Sequence, residues 1–356
     1  MSGSAIIRED LTSICKRMGS SLGSFEGSTL LVAGGTGFLP SFFVDAVAYA
    51  NEHLFKEPCR ILCVDNFITG DMGRLEHLKD NPHVVFLRQD ITEPLLLDGA
   101  IDYVIHAASI ASPPIYRKYP LRTVDVNVFG TRNLLDLAVS KGTKSFLYLS
   151  SSEIYGDPTP EDIPTAEVYR GNVSCTGPRA CYDESKRLAE TLCSIYASEH
   201  HVPVKIVRPF NVYGPRLSLN DGRIVPDILK NGLQGKPLVL YSDGRATRSF
   251  CYVADAVVAM LLILLSSYDG EAFNVGNDEE VSIGKLAQEA SSLFVPQSEI
   301  RFETSDDVHY LTDNPVRRCP DLAKVKQSIP WQPIIGLNEG LRRTIAWYQG
   351  RVAVCG

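Results

Sequence analysis

Short apolar runs alternate with amphipathic stretches over the first two hundred residues of the chain. The stretch after the first run places Leu39, Phe43, Ala46, Val47 and Ala50 on one face of a helix. Apolar strands that alternate with helices predict a doubly wound α/β fold, a parallel sheet covered on both faces. The predicted strands lie at 29–34, 59–65, 83–90, 101–108, 144–152 and 203–210, and further helices are predicted at about 120–140 and 180–200.

The two ends of the chain depart from this alternation. Residues 1–28 place Ile7, Leu11, Ile14 and Met18 at helical spacing, which predicts a short amphipathic helix that packs on the domain or on a partner subunit. From about residue 215 proline and glycine become more frequent. The run RSFCYVADAVVAMLLILL within 246–276 is predicted to form a strand and a helix that rejoin the sheet. We therefore predict a main domain at 29–214 that includes 246–276, and a smaller, interleaved α/β domain at 215–245 and 277–356.

The first predicted strand runs into a glycine turn, LLVAGGTGFLP at 30–40. A strand, a glycine turn and a helix place backbone N–H groups and the positive helix end against a pyrophosphate. Gly34 and Gly37 fit this pattern, but Pro40 stands where a third glycine belongs. If the helix begins near Gly37, Pro40 lies in its first turn, where proline is tolerated. We expect dinucleotide binding to survive, with the helix displaced outward from the strand.

Carboxylates at the ends of the next two strands indicate which dinucleotide binds. Asp65 in VDNF can accept hydrogen bonds from the adenosine ribose hydroxyls and would repel a 2′-phosphate, so the sequence favours NAD over NADP. Asp90 ends the third strand and is predicted to lie near the adenine. Neighbouring positions predicted to line the same site are Phe38, Leu39, Asn66, Ile91 and Ala107.

Composition excludes several other classes of function. A net charge of −7 and an isoelectric point near 5.6 argue against nucleic acid as a partner. The apolar run 257–265 is too short to span a bilayer, and no signal segment opens the chain. The nine cysteines form no CxxC pair, which indicates reduced thiols in a reducing compartment. We expect a soluble, cytoplasmic protein without a membrane partner, and the histidine spacing indicates no metal site.

A tyrosine–lysine pair follows a cluster of hydroxyl side chains. Tyr182 and Lys186 are four residues apart, so both project from one face of a predicted helix. A lysine ammonium beside a phenol is expected to lower the pKa of the phenol, so that it accepts a proton near neutral pH. The strand about thirty residues earlier ends in LSSSEIYGD at 149–157. The strand end and the helix together predict a proton-transfer site.

Several motifs, taken in order, resemble the extended short-chain dehydrogenase/reductase family of nucleotide-sugar enzymes. They are GGTGF, VDNF, HAAS, SSSEIYGD, GPRACYDESKR, RPFNVYGPR, NDGR and TRSFCYVAD. Within that family the resemblance is to the UDP-glucuronate decarboxylases, and it extends from about residue 30 to 350. It implies that 29–214 is a Rossmann domain for tightly bound NAD, that the smaller domain binds a nucleotide sugar, and that the partner is a second copy in a homodimer.

The resemblance also assigns roles to individual residues. Tyr182 and Lys186 match the catalytic dyad, Ser151 matches a threonine beside the tyrosine, and Ser152 with Glu153 match a Ser-Glu pair. The resemblance further assigns Arg248 and Glu153 to the region of the sugar carboxyl group and to the C5 proton. It assigns Arg223 and Arg318 to the pyrophosphate. Asn211 and Tyr241 are assigned to substrate binding. The segment NVSCTGPR at 172–179 departs from the family's NVNPIGPR, so we expect the contacts around the sugar or the nicotinamide to differ from those of the family.

The implied reaction is NAD-dependent decarboxylation of UDP-glucuronate to UDP-xylose or to the 4-keto pentose. A 4,6-dehydratase needs an acid immediately before Glu153, where this chain has Ser152, and simple 4-epimerases have a small or hydroxyl residue in place of Glu153. Three alternatives stay open at this point: a UDP-hexuronate 4-epimerase, a 4,6-dehydratase, and a non-catalytic NAD-binding scaffold, the last because of Pro40.

Overall fold

A computed structural model describes residues 3–305, 312 and 314–355. Its strands are β1 Thr29–Ala33, β2 Arg60–Asp65, β3 Val84–Arg88, β4 Tyr103–His106, β5 Ser145–Leu149, β6 Val204–Pro209, β7 Val212–Tyr213, β8 Leu238–Leu240, β9 Thr247–Ser249, β10 Cys251–Tyr252, β11 Ala272–Val275, β12 Glu280–Ser282, β13 Ile300–Phe302 and β14 Arg317–Arg318. Its α-helices are α1 Gly3–Met18, α2 Phe38–His53, α3 Pro113–Lys118, α4 Pro120–Asp125, α5 Thr131–Lys141, α6 Ala180–Glu199, α7 Ile224–Leu233, α8 Val253–Leu264, α9 Ile283–Ser292, α10 Ala323–Ser328 and α11 Leu337–Cys355. A π-helical turn, Val126–Gly130, joins α4 to α5, so the helix predicted at about 120–140 forms in three parts.

Seven parallel strands form the main sheet, in the order β3-β2-β1-β4-β5-β6-β11. Leu31 at the centre of β1 pairs with Leu62 on one side and with Val104 on the other. The predicted α/β fold class is therefore confirmed. The order of the strands reverses between β1 and β4, and ligands of such sheets bind outside the carboxyl ends of the strands at this point.

Side chains on the two faces of β1 enter different hydrophobic clusters, because successive residues of a strand point to opposite faces. Leu30 and Val32 pack in the cluster that includes α2 and α8. Leu31 and Ala33 pack in the cluster that includes α5 and part of α6. The sheet is covered on both faces, which explains why its strands are continuous apolar runs in the sequence.

The run at 246–276 joins the main sheet differently from our prediction. Its strand residues form β9, which pairs with β12 and β14 in a small sheet, and β10, which pairs with β7. Helix α8 is buried throughout and packs against β5 and β6. The strand that rejoins the main sheet is β11, which pairs with β6. The division of the chain into two domains stays a prediction.

The predicted N-terminal helix is confirmed as α1, which packs on α8 and α11. Ile7, Leu11, Ile14 and Met18 are all buried, as their spacing predicts. Asp10 on the same helix is buried and accepts a hydrogen bond from Tyr252 (2.7 Å). Among the described residues no helix combines the length and the apolar character that crossing a membrane requires. The cytoplasmic location stays a prediction.

Candidate active site

One cavity of about 600 Å³ lies along the carboxyl edge of the main sheet. Nine positions predicted for the cofactor alone line it, together with five of the residues predicted for catalysis or substrate binding, of which Tyr182 and Lys186 were also predicted to contact the cofactor. The cofactor positions are Gly34, Gly37, Phe38, Leu39, Asp65, Asn66, Asp90, Ile91 and Ala107, and the others are Ser151, Tyr182, Lys186, Asn211 and Arg223.

The glycine turn between β1 and α2 is packed against the backbone just after β4, the neighbouring strand in the sheet. Gly34 has a φ of +76°, and a Cβ atom there would lie 2.6 Å from the Cα atom of Ala108. Helix α2 begins at Phe38, so Pro40 lies in its first turn, as expected. The amide that proline lacks has no helical partner at that position, so the helix loses no hydrogen bond. Pro40 also lines the cavity, beside the N-terminal end of the helix.

The carboxylate of Asp65 is fixed at the end of β2. Its Oδ2 atom accepts hydrogen bonds from the Thr36 backbone N–H (3.0 Å) and the Thr36 hydroxyl (2.7 Å). Its Oδ1 atom accepts one from the Phe67 N–H (2.8 Å). Gly70 lies so close that a Cβ atom there would be 2.7 Å from either carboxylate oxygen. An ordered carboxylate in this cavity suits the two hydroxyls of an adenosine ribose.

Asp90 is held in the same region by hydrogen bonds. Asn66 donates to its Oδ2 atom (2.9 Å), and the backbone N–H (3.0 Å) and hydroxyl (2.8 Å) of Thr92 donate to Oδ1. Burial acts to raise the pKa of Asp90, but these hydrogen bonds outweigh it, and the pKa is lowered. Asp90 is therefore a preorganised hydrogen-bond acceptor.

Tyr182 and Lys186 lie one turn apart on α6, and both are buried. The Lys186 Nζ atom donates to the backbone oxygen of Leu149 (2.6 Å) and lies 5.9 Å from the centre of the Tyr182 ring. Burial raises the pKa of Tyr182 to about 12 and lowers that of Lys186 to about 7. The expectation that the lysine lowers the pKa of the tyrosine is therefore wrong for this arrangement, because burial disfavours the charged form of both groups.

The cluster of hydroxyl groups at the end of β5 presents Ser151 to Tyr182. Ser151 hydrogen-bonds the Tyr182 hydroxyl, which acts to lower the pKa of the phenol against the effect of burial. The Ser151 oxygen also accepts from the Glu153 N–H (3.2 Å) and so caps the 3₁₀ turn Ser152–Tyr155. Ser152 is buried and is not among the residues that line the cavity.

Glu153 is bound by two arginines instead of facing the cavity. Arg179 and Arg318 both ion-pair with its carboxylate, and one of the contacts joins Arg318 Nη2 to Glu153 Oε2 at 2.7 Å. Burial acts to raise the pKa of Glu153, but the charges of the two arginines hold it well below its usual range. Arg318 was predicted to contact the pyrophosphate, but here it is engaged by Glu153. The ionised carboxylate has no proton to donate near neutral pH.

Two further predicted substrate residues lie outside the cavity. Arg248 is buried and donates to the backbone oxygens of Thr247 (2.7 Å) and Pro315 (2.7 Å) and to the side chain of Asn314 (2.8 Å). Burial, helped by the charge of Arg318, lowers the pKa of Arg248 to about 9. Arg248 therefore supports the segment that leads to Arg318. Tyr241 is exposed at the surface.

Asn211 and Arg223 line the cavity from the segment that follows β6. Asn211 donates to the Ser249 backbone oxygen (3.0 Å) and adopts a positive φ of 38°. Arg223 ion-pairs with Asp221, with Arg223 Nη2 3.1 Å from Asp221 Oδ2. Asp221 raises the pKa of Arg223, against the effect of burial. The guanidinium is therefore a cation at the end of the cavity where Tyr182 lies.

Two residues that contact this site, Tyr116 and Arg179, were not predicted from the sequence. Tyr116 stacks on Tyr182, and its buried hydroxyl has no hydrogen-bond partner in the described part of the chain. Arg179 binds Glu153 from the turn that precedes α6. Arg179 stands three residues before Tyr182 in GPRACYDESKR, so its position was a usable signal. Tyr116 lies far away in the sequence and gave none.

The fold and this cavity together define a dinucleotide-binding α/β enzyme framework. A family model described as "NAD dependent epimerase/dehydratase family" matches residues 30–276. UDP-glucuronic acid decarboxylase 1 of Arabidopsis thaliana is 39% identical over 325 residues, which cover 91% of this chain and 70% of that protein. The Danio rerio protein of the same name is 40% identical over 321 residues, covering 90% and 72%.

Solved structures of similar fold include several epimerases. The UDP-glucose 4-epimerase of Thermotoga maritima superposes with a TM-score of 0.78 at 25% identity, covering 91% of this chain and 99% of that one. The UDP-glucuronic acid 4-epimerase of Bacillus cereus gives 0.77 at 23% identity, covering 90% and 99%. The chain belongs to the NAD-dependent epimerase/dehydratase family. It is an NAD-dependent nucleotide-sugar enzyme, and the glycine turn and Asp65 are the features that fit NAD.

Proposed function

We propose that the protein decarboxylates UDP-glucuronate to UDP-xylose, or to the 4-keto pentose if the intermediate is released. The observation that carries this proposal is the single cavity that Asp65 and the glycine turn share with Tyr182, Lys186 and Ser151. The Ser152–Glu153 pair beside this cavity and the relatives named UDP-glucuronic acid decarboxylase support this substrate over others.

The chemistry follows from the positions of Tyr182 and Ser151. NAD, when bound, supplies the acceptor and donor of the hydride at sugar C4. Ser151 holds the O4 atom, and Tyr182, as the phenolate, receives its proton. The hydrogen bond from Ser151 acts toward the phenolate against the effect of burial, and the Lys186 Nζ atom lies 5.9 Å from the ring centre. A ketone at C4 lies β to the C5 carboxylate, so the C5–CO2 bond breaks with its electrons carried into an enolate. Protonation at C5 then restores the ketone.

Arginines at and beside the cavity are the candidate partners for the negatively charged substrate, and each of them is paired with a carboxylate of this chain. Arg223 lines the cavity, and Arg179 and Arg318 lie beside it with Glu153 as their shared counter-ion. We propose that the segments 215–245 and 277–356, which carry Arg223 and Arg318, hold the nucleotide sugar. Glu153 positions the two arginines in this proposal, and its ionised form excludes it as the donor of the C5 proton at neutral pH.

Incubation with UDP-glucuronate and NAD, followed by mass spectrometry, tests the reaction. Decarboxylation predicts loss of CO2 and a nucleotide pentose. Formation of UDP-galacturonate, with no change of mass, would indicate a 4-epimerase. This activity is the second candidate because the similar structures include the UDP-glucuronic acid 4-epimerase of Bacillus cereus. A failure to turn over any nucleotide sugar, with intact NAD binding, would indicate a scaffold.

We also propose that the protein is a homodimer formed through α4, α5 and α6. Apolar side chains are exposed on these helices, Leu121 (77%) on α4 and Leu188 (47%) on α6, and Phe129 (55%) is exposed on the π-helical turn between α4 and α5. Helices α5 and α6 pack side by side, so a second copy could form a four-helix contact with them. Light scattering should give twice the chain mass, and Leu188→Asp should give the monomer mass. Leu54→Asp is the control, because Leu54 is exposed at the end of α2.

A further inference from the structure

Glu190 lies on α6, one helical turn after Lys186. Its Oε1 atom accepts hydrogen bonds from the Ser150 hydroxyl (2.5 Å) and from Arg208 Nε (3.0 Å). Its Oε2 atom accepts from Arg208 Nη2 (2.6 Å). The side chains of Glu190 and Arg208 are 12% and 11% exposed. Charge-assisted hydrogen bonds of this geometry fix a carboxylate in place.

Through Ser150 and Lys186, helix α6 holds the end of β5 at two consecutive residues. Lys186 donates to the backbone oxygen of Leu149, and Glu190 accepts from the side chain of Ser150. The next residue is Ser151, which hydrogen-bonds Tyr182. A change at Glu190 can therefore affect the reacting groups in two ways. It can move the turn formed by Ser150 and Ser151, which we call the serine turn, and it can change the charge near Lys186.

Arg208 anchors Glu190 from the other side. Its Nη1 atom donates to the Tyr155 hydroxyl (2.8 Å) and to the Glu167 backbone oxygen (2.8 Å), and Tyr155 donates to Asn274 Oδ1 (2.7 Å). These contacts join β6, β11 and the turn after β5. The hydrogen bonds of the Arg208 side chain go to Glu190, Tyr155 and Glu167, and of these three partners only Glu190 lies on α6, one turn from Lys186.

We propose that Glu190 is a positioning residue for the dyad, because it fixes the serine turn through Ser150 and places a stationary negative charge one turn from the Lys186 ammonium. This inference rests on the proposed roles of Tyr182 and Lys186 in proton transfer. It assigns a function to a buried carboxylate that does not touch the substrate cavity.

The other titratable groups that face Lys186 are neutral near pH 7. His106 on β4 has a pKa well below its usual value, because of burial and the nearby Lys186. Burial raises the pKa of Tyr148 on β5, and of Tyr182 and Cys193 on α6. Burial lowers the pKa of Lys186 to about 7, and Cys193 and the carboxylate of Glu190 act in the opposite direction. Loss of that charge should therefore lower the pKa of Lys186 further.

The variant Glu190→Gln keeps an oxygen that can accept from Ser150 but removes the charge. The alkaline limb of the pH profile of kcat should move to lower pH by at least about half a unit, because the ammonium is lost earlier. The affinity of the cofactor-stripped protein for NAD, measured by calorimetric titration between pH 6 and 9, should fall as the pH rises. In Glu190→Gln this fall should occur at lower pH, by the same amount as the shift in kcat. The matched control is Glu184→Gln on the same helix, a half-exposed residue paired with Arg187, which should keep both profiles.

Two further variants separate this role from a purely structural one. Glu190→Gln with Arg208→Gln removes both charges, so no unpaired buried arginine is left, and the shift should persist. Glu190→Asp keeps the charge on a shorter side chain and should restore the wild-type profile at a reduced kcat. A wild-type profile in either Gln variant would overturn the proposal, as would a shift that the double variant abolishes. If the wild type turns over no nucleotide sugar, the proposed function fails, and the calorimetric profile alone decides the role of Glu190.

Discussion

The ring of Tyr116 stacks on the ring of Tyr182, with centroids 5.3 Å apart and planes 11° from parallel. Tyr116 is almost fully buried, and its hydroxyl has no hydrogen-bond partner among the residues that the structure describes. We predict that Tyr116→Phe, which keeps the stack and removes an unsatisfied polar atom, changes the free energy of unfolding by less than about 0.5 kcal/mol. Tyr116→Leu should cost about 2 kcal/mol and lower kcat, because it removes the ring that orients Tyr182.

Urea unfolding and steady-state kinetics on both variants test this prediction. If Tyr116→Leu keeps the wild-type kcat, the stacked ring does not orient Tyr182. If Tyr116→Phe raises KM at unchanged stability, its hydroxyl contacts the substrate.

The ion pairs of Glu153 should make stability depend on pH in the acid range. Its pKa lies well below the usual 4.5 in the folded protein, so its contribution is present above pH 4.5 and is lost progressively as the pH falls below that value. At pH 7, Glu153→Gln should lower the free energy of unfolding by about 2 kcal/mol, less than for a fully buried pair because the carboxylate is partly exposed.

Urea unfolding of the wild type and of Glu153→Gln at pH 7 and pH 3.5 measures this difference. The gap between the two proteins should be smaller at pH 3.5. A gap that is the same at both pH values would contradict the assignment of a low pKa to Glu153. Glu184→Gln, at a half-exposed pair, serves as the control and should differ little from the wild type at either pH.

Pro40 should limit NAD affinity slightly while it stabilises the fold. Its ring lies in the first turn of α2 and lines the cavity. Pro40→Gly should bind NAD as tightly as the wild type or more tightly, and should lower stability by about 1 kcal/mol because the unfolded chain gains freedom. Calorimetric titration with NAD is the measurement, and Pro40→Ala separates the ring from the backbone effect. Weaker binding in both variants would contradict the view that the ring displaces the helix.

Asp65 should govern both NAD affinity and the preference over NADP. Asp65→Asn removes the charged acceptor that Thr36 and Phe67 hold in place, so the Kd for NAD should rise roughly 10–100-fold. The ratio of NADP to NAD affinity should rise, because the charge that repels a 2′-phosphate is gone. Asp71→Asn is the control, since Asp71 caps the next turn outside the cavity. An unchanged cofactor preference in Asp65→Asn would show that Asp65 does not contact the ribose.

The sequence predicted those parts of the structure that depend on local pattern. The apolar alternation predicted the parallel sheet, the glycine spacing placed the turn before α2, and the interval between Tyr182 and Lys186 placed both on one face of α6. Features that depend on distant contacts could not be predicted in this way. Glu153 meets Arg318 across 165 residues, and the stack of Tyr116 on Tyr182 joins separate helices.

The pKa values show the same limit. The spacing of Tyr182 and Lys186 indicated a charge interaction, but not the depth at which both groups are buried. Burial then sets the direction of both shifts. The strand predicted within RSFCYV lies outside the main sheet for a similar reason, because β9 has a partner in β14, which lies far along the chain.

The most direct test of the central claim uses UDP-glucuronate labelled with ¹⁴C at the carboxyl carbon. The wild-type protein with NAD should release labelled CO2 and leave an unlabelled nucleotide pentose, and Tyr182→Phe should release none while it still binds NAD. Retention of the label in a hexuronate by the wild type, or release of CO2 by Tyr182→Phe at a near-normal rate, would contradict the account.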